Sequence, residues 1–497
     1  MFSFVVAHPP ALVVFVLMGA FIMPTISHFR RSLCGPASCV IMLVALMCSF
    51  HLARFAMAGN TIKYAAGGWL PPWGIEVVIN SFSAFILLII SFICLLILFY
   101  STASLQTEIA YNAIGWYYTI FLLLVASMMG MAITNDIFNM YVFIEVTGIS
   151  ACALVLAKNT KMATDAAFKY LLLATVGSGF VLFGISLMYM ITGNLNIDYV
   201  AMEFRQVYTQ YPFLIWTVLS FFLVGFGIKS ALFPLHLWLP DAHSSAPTSS
   251  SAILSGLVVK AYIVALLKFY YIIFGFELLD AIFIRHLILI MAASAMLFGS
   301  MFAFAQLDIK RRLAYSSVAQ IGYVFLGIGL GSPLGMAAGI IHIFNHAVMK
   351  ACLFMAAGAI YYQTGNKQVN KLQGLGYEMP ITLGAFSIAA LSMVGLPLFS
   401  GFISKWYLAQ GSIEAGMPLF VGLIILSGLL NASYFLPIIW QAFFDVDQHK
   451  PKTFTLDAIP FPMAATLVVL ALTIIYFGLN PEFPLTLAQQ AVMIFLP

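Results

Sequence analysis

The sequence predicts an all-α integral membrane protein. Of its 497 residues, 63% are hydrophobic and only 8% are charged, whereas soluble domains carry about a quarter charged residues. The apolar residues form continuous runs of about 20, the length that crosses a bilayer as a helix. A membrane β-barrel would instead show alternating segments of about ten residues. Because backbone groups in lipid must bond within their own segment, these runs predict helices.

The apolar runs predict about fourteen membrane-spanning helices. They lie near residues 10–28, 36–57, 77–100, 114–133, 137–157, 166–192, 213–238, 250–274, 282–305, 313–331, 335–362, 381–409, 417–444 and 460–479. No basic region precedes the first run, so we predict a retained helix there and not a cleaved signal.

The basic residues of the loops predict the orientation of the chain. Twelve of the 21 lysines and arginines lie in alternate loops: Arg30, Arg31, Lys158, Lys161, Lys169, Lys310, Arg311, Arg312, Lys367, Lys371, Lys450 and Lys452. The opposite loops hold five: Arg54, Lys63, Arg205, Lys268 and Arg285. This excess predicts that the first set faces the cytoplasm. An even number of helices then leaves both termini outside.

Two predicted helices look interrupted. The seventh reads GFGIKSALFPLHLWLPDAH, with Lys229 before a proline, and the twelfth reads LSMVGLPLFSGFISKW, with Lys405 after one. Proline in a helix interior removes a backbone hydrogen bond. Each interrupted helix is the fourth in a run of five, 114–274 and 282–444. Paired interruptions at matching positions are typical of inverted-repeat transporters.

Four lysines and one glutamate lie inside predicted helices: Lys229, Lys260, Lys350, Lys405 and Glu145. Each such group at mid-bilayer costs at least about 2.5–3.5 kcal/mol. The set therefore predicts a proton relay. The alternative is that each is a satisfied polar anchor or reaches an interface.

Glu145 and Lys229 are interpreted as a pair, because a nearby carboxylate and ammonium stabilise each other's charged forms. Movement of Glu145 relative to Lys229 would then switch the lysine between holding and releasing its proton. Lys260 has Gly256 one turn earlier on the same face, which leaves room beside it. A neutral Lys260 is predicted to relay a proton towards the centre.

The eleventh helix places three titratable residues on one face. His342, His346 and Lys350 are spaced i, i+4, i+8, and histidine titrates near neutral pH, so they predict a relay. The HxxxH spacing also suits a metal, but no third ligand is evident and the lysine would repel a cation. A hydrogen-bonded core histidine is the further alternative. We predict no metal.

Five accessory residues are assigned with open alternatives. Tyr315 and Gln320 in LAYSSVAQIGY either hold a water wire or bond neighbouring helices. His236, Asp241 and His243 in PLHLWLPDAH either pass protons to the cytoplasmic side or cap and anchor the broken helix.

Other classes of site are not expected in this chain. No basic stripe indicates nucleic acid. The six cysteines lie singly and form no CxxC, which argues against zinc and iron–sulfur sites. We predict no cofactor.

Several segments together resemble a known family. They are GIKSALFPLHLWLPDAHSSAP, LAYSSVAQIGY, HIFNHAVMKACLFMAAGAI and GLPLFSGFISKW, and they are similar to the antiporter-like subunits of respiratory complex I, Mrp cation/proton antiporters and energy-converting membrane hydrogenases. The resemblance covers roughly residues 76–445. The segment GGWLPPWGIEVVINSFSAFILL is most similar to the D subunit of Mrp antiporters and its hydrogenase equivalent. It has Asn80 where many relatives have Asp.

The resemblance implies fourteen helices, with helices 4–8 and 9–13 as inverted repeats. It implies four regions: 1–110 with helices 1–3, 111–275 and 276–445 as the two repeats, and 446–497 with helix 14 and the tail. It also implies a proton path, which falls here on Glu145, Lys229, Lys260, His342, His346, Lys350 and Lys405.

The resulting expectation is a proton-translocating subunit in a bacterial or archaeal cytoplasmic membrane. Its partners would be other membrane subunits of an Mrp-, hydrogenase- or complex I-like assembly, on which any redox chemistry would lie. The transported ions would be protons, with Na+ as the exchanged cation if the complex is an antiporter. Alternatives are a pumping subunit of a complex I-like NADH–quinone oxidoreductase and a scaffold that does not transport.

Overall fold

The chain is almost entirely helical. The computed structural model describes residues 2–207, 209–281, 283–445 and 456–496. Lys450 and Lys452, two of the loop lysines in the orientation prediction, lie outside these residues. The N-terminal region contains α1 (Phe2–Ala7), α2 (Pro10–Arg30), α3 (Cys34–Met57) and α4 (Ser81–Glu108).

A short hairpin, which the apolar pattern did not predict, connects α3 to α4. Strand β1 (Ile62–Ala65) pairs antiparallel with β2 (Glu76–Ile79), with Ile62 opposite Ile79. The side chain of Asn80 then accepts from Ser83 N and caps α4. The residue that departs from the family pattern therefore has a local structural role as a helix cap.

The middle of the chain contains helices α5 to α12. Their bounds are α5 (Ile114–Ile133), α6 (Ile137–Leu156), α7 (Lys161–Thr192), α8 (Ile197–Val207), α9 (Pro212–Lys229), α10 (Leu239–Ser245), α11 (Thr248–Ile253) and α12 (Val259–Leu267). Two π-helical segments, Leu254–Val258 and Lys268–Phe274, join α11 and α12 into one buried stretch, Thr248–Phe274.

The last part of the chain contains helices α13 to α22. Their bounds are α13 (Phe276–Ala281), α14 (Ile284–Phe304), α15 (Ile309–Leu330), α16 (Pro333–Thr364), α17 (Leu375–Glu378), α18 (Pro380–Val394), α19 (Ser400–Glu414), α20 (Leu419–Phe443), α21 (Phe461–Leu479) and α22 (Glu482–Phe495).

Twelve stretches of the described chain are long and apolar enough to cross a membrane. One of them, Pro10–Met57, contains both α2 and α3. The predicted helix 381–409 consists of two helices of 15 residues each, α18 and α19. The multi-pass helical class is confirmed, whereas the count of fourteen and the inverted repeats stay predictions.

Both expected interruptions are present as breaks in helical structure. Helix α9 ends at Lys229 and α10 begins only at Leu239, and Trp238 Nε1 donates to Ile228 O at the freed end, 2.8 Å away. Helix α18 is closed by Gly395, whose φ of +96° is a conformation that favours glycine. The breaks leave backbone carbonyls inside the protein, where polar side chains can reach them.

Helix α16 lies at the centre of the protein. Every residue from 335 to 360 is buried, and the helix packs against α4, α15, α18 and α19. A helix buried on all sides cannot direct its polar side chains to water. Its histidines and its lysine are therefore surrounded by other parts of the protein.

Four basic residues assigned to loops lie instead in buried helical positions: Lys268, Arg285, Lys310 and Arg312. Lys310 is in the first turn of α15 with a side chain 1% exposed. Lys268 is buried in the segment Lys268–Phe274, and its amine donates to Ala132 O and Thr134 O at the end of α5. Lys268, assigned above to a loop, is therefore a buried residue whose amine lies at a helix C-terminus, a favourable position for a cation.

Candidate functional site

The side chains predicted to form a relay occupy the interior of both halves of the chain. Lys229, Lys260, His342, His346, Lys350 and Lys405 are all buried. The Glu145 side chain alone is partly open, with 31% of its surface exposed. Burying an ionisable group costs free energy unless the group has partners. The contacts of each side chain therefore indicate whether it could take part in a proton relay.

Glu145 and Lys229 form an ion pair between α6 and the end of α9. Lys229 Nζ lies 3.7 Å from Glu145 Oε1, and this oxygen has no hydrogen bond among the described residues. The ammonium lies 5.5 Å from the centre of the Tyr262 ring. A methyl group added at Gly148 would lie 3.3 Å from Lys229 Nζ. The pair thus sits in a space that a glycine keeps open.

Lys260 bonds to the backbone where the helix is locally widened. Its amine donates to Ser255 O in the π-helical segment Leu254–Val258. A π-bulge frees a carbonyl from the regular helical ladder, and such bulges are frequent at functional sites. The Ser255 hydroxyl lies 2.7 Å from that of Ser317 on α15. This contact connects the first half of the chain to the second.

Lys350 on α16 contacts the same helix, α15. Its amine donates to Leu313 O at 2.7 Å and to the hydroxyl of Ser316. Ser316 is adjacent in sequence to Ser317, which contacts Ser255. Lys350 thus contacts Ser316 directly, and Lys260 is linked to the neighbouring Ser317 through Ser255.

The two histidines of α16 have parallel rings. The ring centres of His342 and His346 are 5.8 Å apart, with 12° between their planes. The nitrogens of His342 lie 2.8 Å from Ser404 Oγ and 3.1 Å from Gln320 Oε1. The nitrogens of His346 have no hydrogen bond among the described residues. A ring with both nitrogens free can accept a proton on one and donate from the other.

Lys405 lies in α19, shortly after the second break and directly after Ser404. Its amine donates to Met393 O at 2.6 Å and Val394 O at 3.0 Å, the last carbonyls of α18. The ammonium also lies 4.6 Å from the centre of the Tyr323 ring. The negative end of the α18 dipole favours a cation at this position.

Three of the accessory residues, Gln320, Asp241 and His243, differ in their contacts. Gln320 bonds to His342, as described above, whereas Asp241 pairs with Lys169 at 3.0 Å and with Arg311 at 3.4 Å. These ion pairs join α10 to α7 and α15, which favours an anchoring role for Asp241. Both nitrogens of His243 lack hydrogen bonds among the described residues, and the ring is fully buried.

His236 and Tyr315 belong to an aromatic cluster at the first break. The His236 ring stacks on Phe233 at 5.2 Å and lies 6.2 Å from the Tyr315 ring. Tyr315 also contacts Phe302. This packing supports the interpretation of His236 as an anchor of the broken helix. Within the described residues, no group of three or more His, Cys, Asp or Glu could hold a metal ion.

Several contacts of the candidate residues could not be predicted from the sequence. Lys260 and Lys405 donate to backbone carbonyls. The pattern of side chains in a sequence does not show which carbonyls are free to accept. Ser404 and Ser255 are ordinary helix residues until the fold brings them to His342 and Ser317. The proline in each broken helix was the available indication that carbonyls would be free nearby.

Known proteins are similar to this chain over nearly its whole length. The family model described as NADH:quinone oxidoreductase/Mrp antiporter, TM, matches residues 134–430. The NADH-quinone oxidoreductase subunit N of Desulforudis audaxviator is 36% identical, over 96% of each chain. A Na(+)/H(+) antiporter subunit of Alkalihalophilus pseudofirmus, of the D type, is 30% identical, over 96% of this chain and 95% of the relative.

A solved structure has the same fold. A chain of the membrane-bound sulfane sulfur reductase, an archaeal respiratory membrane complex, superposes with a TM-score of 0.90. It is 31% identical, and the match covers 98% of this chain and 97% of that one.

Proposed function

Because the chain belongs to the NADH:quinone oxidoreductase/Mrp antiporter family of membrane proteins, we propose that it moves protons across the membrane as one subunit of a larger complex. The proposed path runs from Glu145 and Lys229 through Lys260 to a second-half relay and ends at Lys405. That relay consists of His342, His346 and Lys350.

The observation that carries this proposal is the set of polar contacts around the buried titratable groups between the two breaks. Lys350 donates to Ser316 of α15, and Lys260 donates to Ser255, whose hydroxyl contacts the neighbouring Ser317. His342 connects through Ser404 to the residue next in sequence, Lys405. Titratable groups joined by hydroxyls can pass protons in steps. A set of unrelated structural anchors would not need hydroxyl contacts of this kind.

The exposure of Glu145 supports the presence of a partner subunit. Its side chain is 31% exposed, and the same face of α6 presents Phe138, Val142 and Ile149, each more than 40% exposed. A carboxylate facing lipid costs about 2.5–3.5 kcal/mol. We therefore assign this face to contact with another membrane subunit, whose polar group would cover Glu145.

The names of the relatives support two uses for such a complex. One relative is a Na(+)/H(+) antiporter subunit and another is an NADH-quinone oxidoreductase subunit. In the first use, the complex exchanges Na+ or another cation for protons. In the second, electron transfer on other chains drives the pumping. The chain takes the same part in both, as the proton conduit.

The finer architecture forms part of the proposal. Fourteen spanning helices would result if α2 and α3 each cross the membrane and α18 and α19 together form one broken span. Residues 111–275 and 276–445 would then be inverted repeats, between an N-terminal region, 1–110, and a C-terminal one, 446–497. The basic loops would face the cytoplasm of a bacterial or archaeal cell, with both termini outside.

The test uses the intact complex, purified through a tag on this chain and reconstituted in vesicles with a pH-sensitive dye inside. Lys229→Ala is expected to abolish proton transport while the complex still assembles. The matched control is Lys371→Ala at an exposed loop lysine, which should transport normally. Normal transport by Lys229→Ala would refute the role of Lys229. The co-purifying subunits distinguish the two uses, since a nickel–iron or NADH-oxidising chain indicates redox-driven pumping.

A further inference from the structure

A buried carboxylate outside the proposed row lies at the end of α4. The Glu108 side chain is only 5% exposed, and both of its oxygens accept from Thr248 N, at 3.0 and 3.1 Å. Its Oε2 lies 3.8 Å from Lys158 Nζ and 4.0 Å from Lys310 Nζ. One acid thus joins α4, the loop after α6, the start of α11 and the start of α15.

The outer edge of this cluster reaches water on the side of the basic loops. The Lys158 side chain is 15% exposed, compared with 1% for Lys310. The amines of Lys158 and Lys367 both lie over the Tyr361 ring, at 5.2 and 5.0 Å. Two lysine amines thus lie within 4.0 Å of one carboxylate oxygen, at the edge of the cluster that reaches water.

The inner edge of the cluster leads towards the central lysines. Lys310 Nζ donates to Ala246 O at 3.2 Å, three residues after His243. On the other side of His243, the Phe354 ring lies 5.6 Å from the imidazole and 5.9 Å from Lys350 Nζ. The segment around His243 therefore borders both Lys310 of the Glu108 cluster and Lys350 in the centre of the protein.

The environment of His243 is unusual for a structural histidine. Its ring is fully buried, and neither nitrogen has a hydrogen-bond partner among the described residues. The rings of Trp238 and Phe354 flank it at 6.4 and 5.6 Å. A buried polar group without a partner needs an explanation. A relay supplies one, because it needs one nitrogen free to accept and the other free to donate.

We propose that Glu108, Lys310 and His243 form a proton entrance that leads from the side of the basic loops to Lys350 and Lys260. The proposal rests on the proposed proton transport of this chain. A proton leaves Lys310 Nζ for one ring nitrogen of His243, and the other nitrogen releases a proton to a neutral central lysine. Glu108 then takes a proton from water and passes it to Lys310, which returns to its protonated form. No electrons move, and the central lysine now carries the transferred proton. The imidazole keeps one proton, now on the other nitrogen, and rotation of the ring restores its starting arrangement.

A second glutamate provides a matched control. Glu414 is the last residue of α19, as Glu108 is of α4, and it accepts from Leu334 N near the start of α16. No described lysine or arginine forms an ion pair with Glu414. The two acids share the capping role, and only Glu108 has the buried cations of an entrance.

The main test compares Glu108→Gln with Glu414→Gln in the reconstituted complex. The amide oxygen of Gln still accepts from Thr248 N but cannot carry a proton. Because a positioned proton-transfer group typically contributes about 10²–10⁴-fold, Glu108→Gln should lower the proton transport rate by at least about tenfold. Its solvent deuterium isotope effect should rise, since proton uptake becomes the slow step. Glu414→Gln should match the wild type, and Glu108→Asp should recover part of the rate.

A second variant keeps the test decisive if Glu108→Gln does not assemble. His243→Phe loses no hydrogen bond of the described residues and places another ring between Trp238 and Phe354, so assembly is expected with a similar loss of transport. Wild-type transport by Glu108→Gln or His243→Phe would overturn the entrance. If Lys229→Ala is inactive in the same vesicles, the proposed function survives that outcome. Normal transport by Lys229→Ala would instead refute the function itself.

Discussion

The two breaks hold their lysines in different ways. In the first half, Lys229 faces a carboxylate, with Glu145 Oε1 3.7 Å from its amine. In the second half, Lys405 donates to Met393 O and Val394 O at the end of α18. Among the described residues no carboxylate forms an ion pair with Lys405.

The difference indicates different tasks for the two lysines. A carboxylate on a partly exposed side chain can move, so the charge that stabilises Lys229 can be withdrawn. The carbonyls around Lys405 belong to the backbone of a helix end and remain in place, where they favour a cation at all times. Lys229 therefore has the surroundings of a residue whose proton affinity can be switched. Lys405 has fixed surroundings, which suit the last residue of the path.

Among the substitutions that test this difference, removal of the Glu145 charge is expected to have the largest effect on proton transport. Glu145→Gln keeps the size of the side chain but loses its charge, so it should lower proton transport by about 10²-fold. Glu145→Asp keeps the charge and should retain more activity. The measurement is the initial rate of proton transport by the reconstituted complex. Equal rates for the two variants would contradict the switch.

A smaller loss of proton transport is expected when the space beside Glu145 and Lys229 is reduced without a change in their charges. Gly148→Ala places a methyl group 3.3 Å from Lys229 Nζ and 3.6 Å from the Tyr262 hydroxyl. Displacing the amine by a few tenths of an ångström should lower the transport rate about two- to tenfold. The control is Gly179→Ala on α7, where an added methyl group meets nothing within 4 Å. Equal rates for both variants would mean that the position of the amine is not critical.

Much of the fold follows from composition and from the length of the apolar runs. The breaks near Lys229 and Lys405 were predicted because proline and glycine in a long apolar run interrupt backbone bonding. The hairpin Ile62–Ala65 with Glu76–Ile79 was not predicted, since four-residue strands leave little pattern. The division of 381–409 into α18 and α19 agrees with the interruption predicted for this run.

The site was only partly predictable, for a physical reason. A lysine in an apolar run is conspicuous because its insertion is costly, so Lys229, Lys260, Lys350 and Lys405 stood out. Glu108 did not, since a glutamate after an apolar run is ordinarily a solvated helix end. Its partners Lys158 and Lys310 are 50 and 202 residues away in sequence, and no local pattern reports a contact over such distances.

The central claim is that both halves belong to one proton path. The most direct test is Lys405→Ala, measured as proton transport by the reconstituted complex beside Lys229→Ala. If the two lysines act in series, each substitution alone abolishes transport, and the double variant is no worse than either. Substantial transport by Lys405→Ala, with Lys229→Ala inactive, would contradict a single path through both halves.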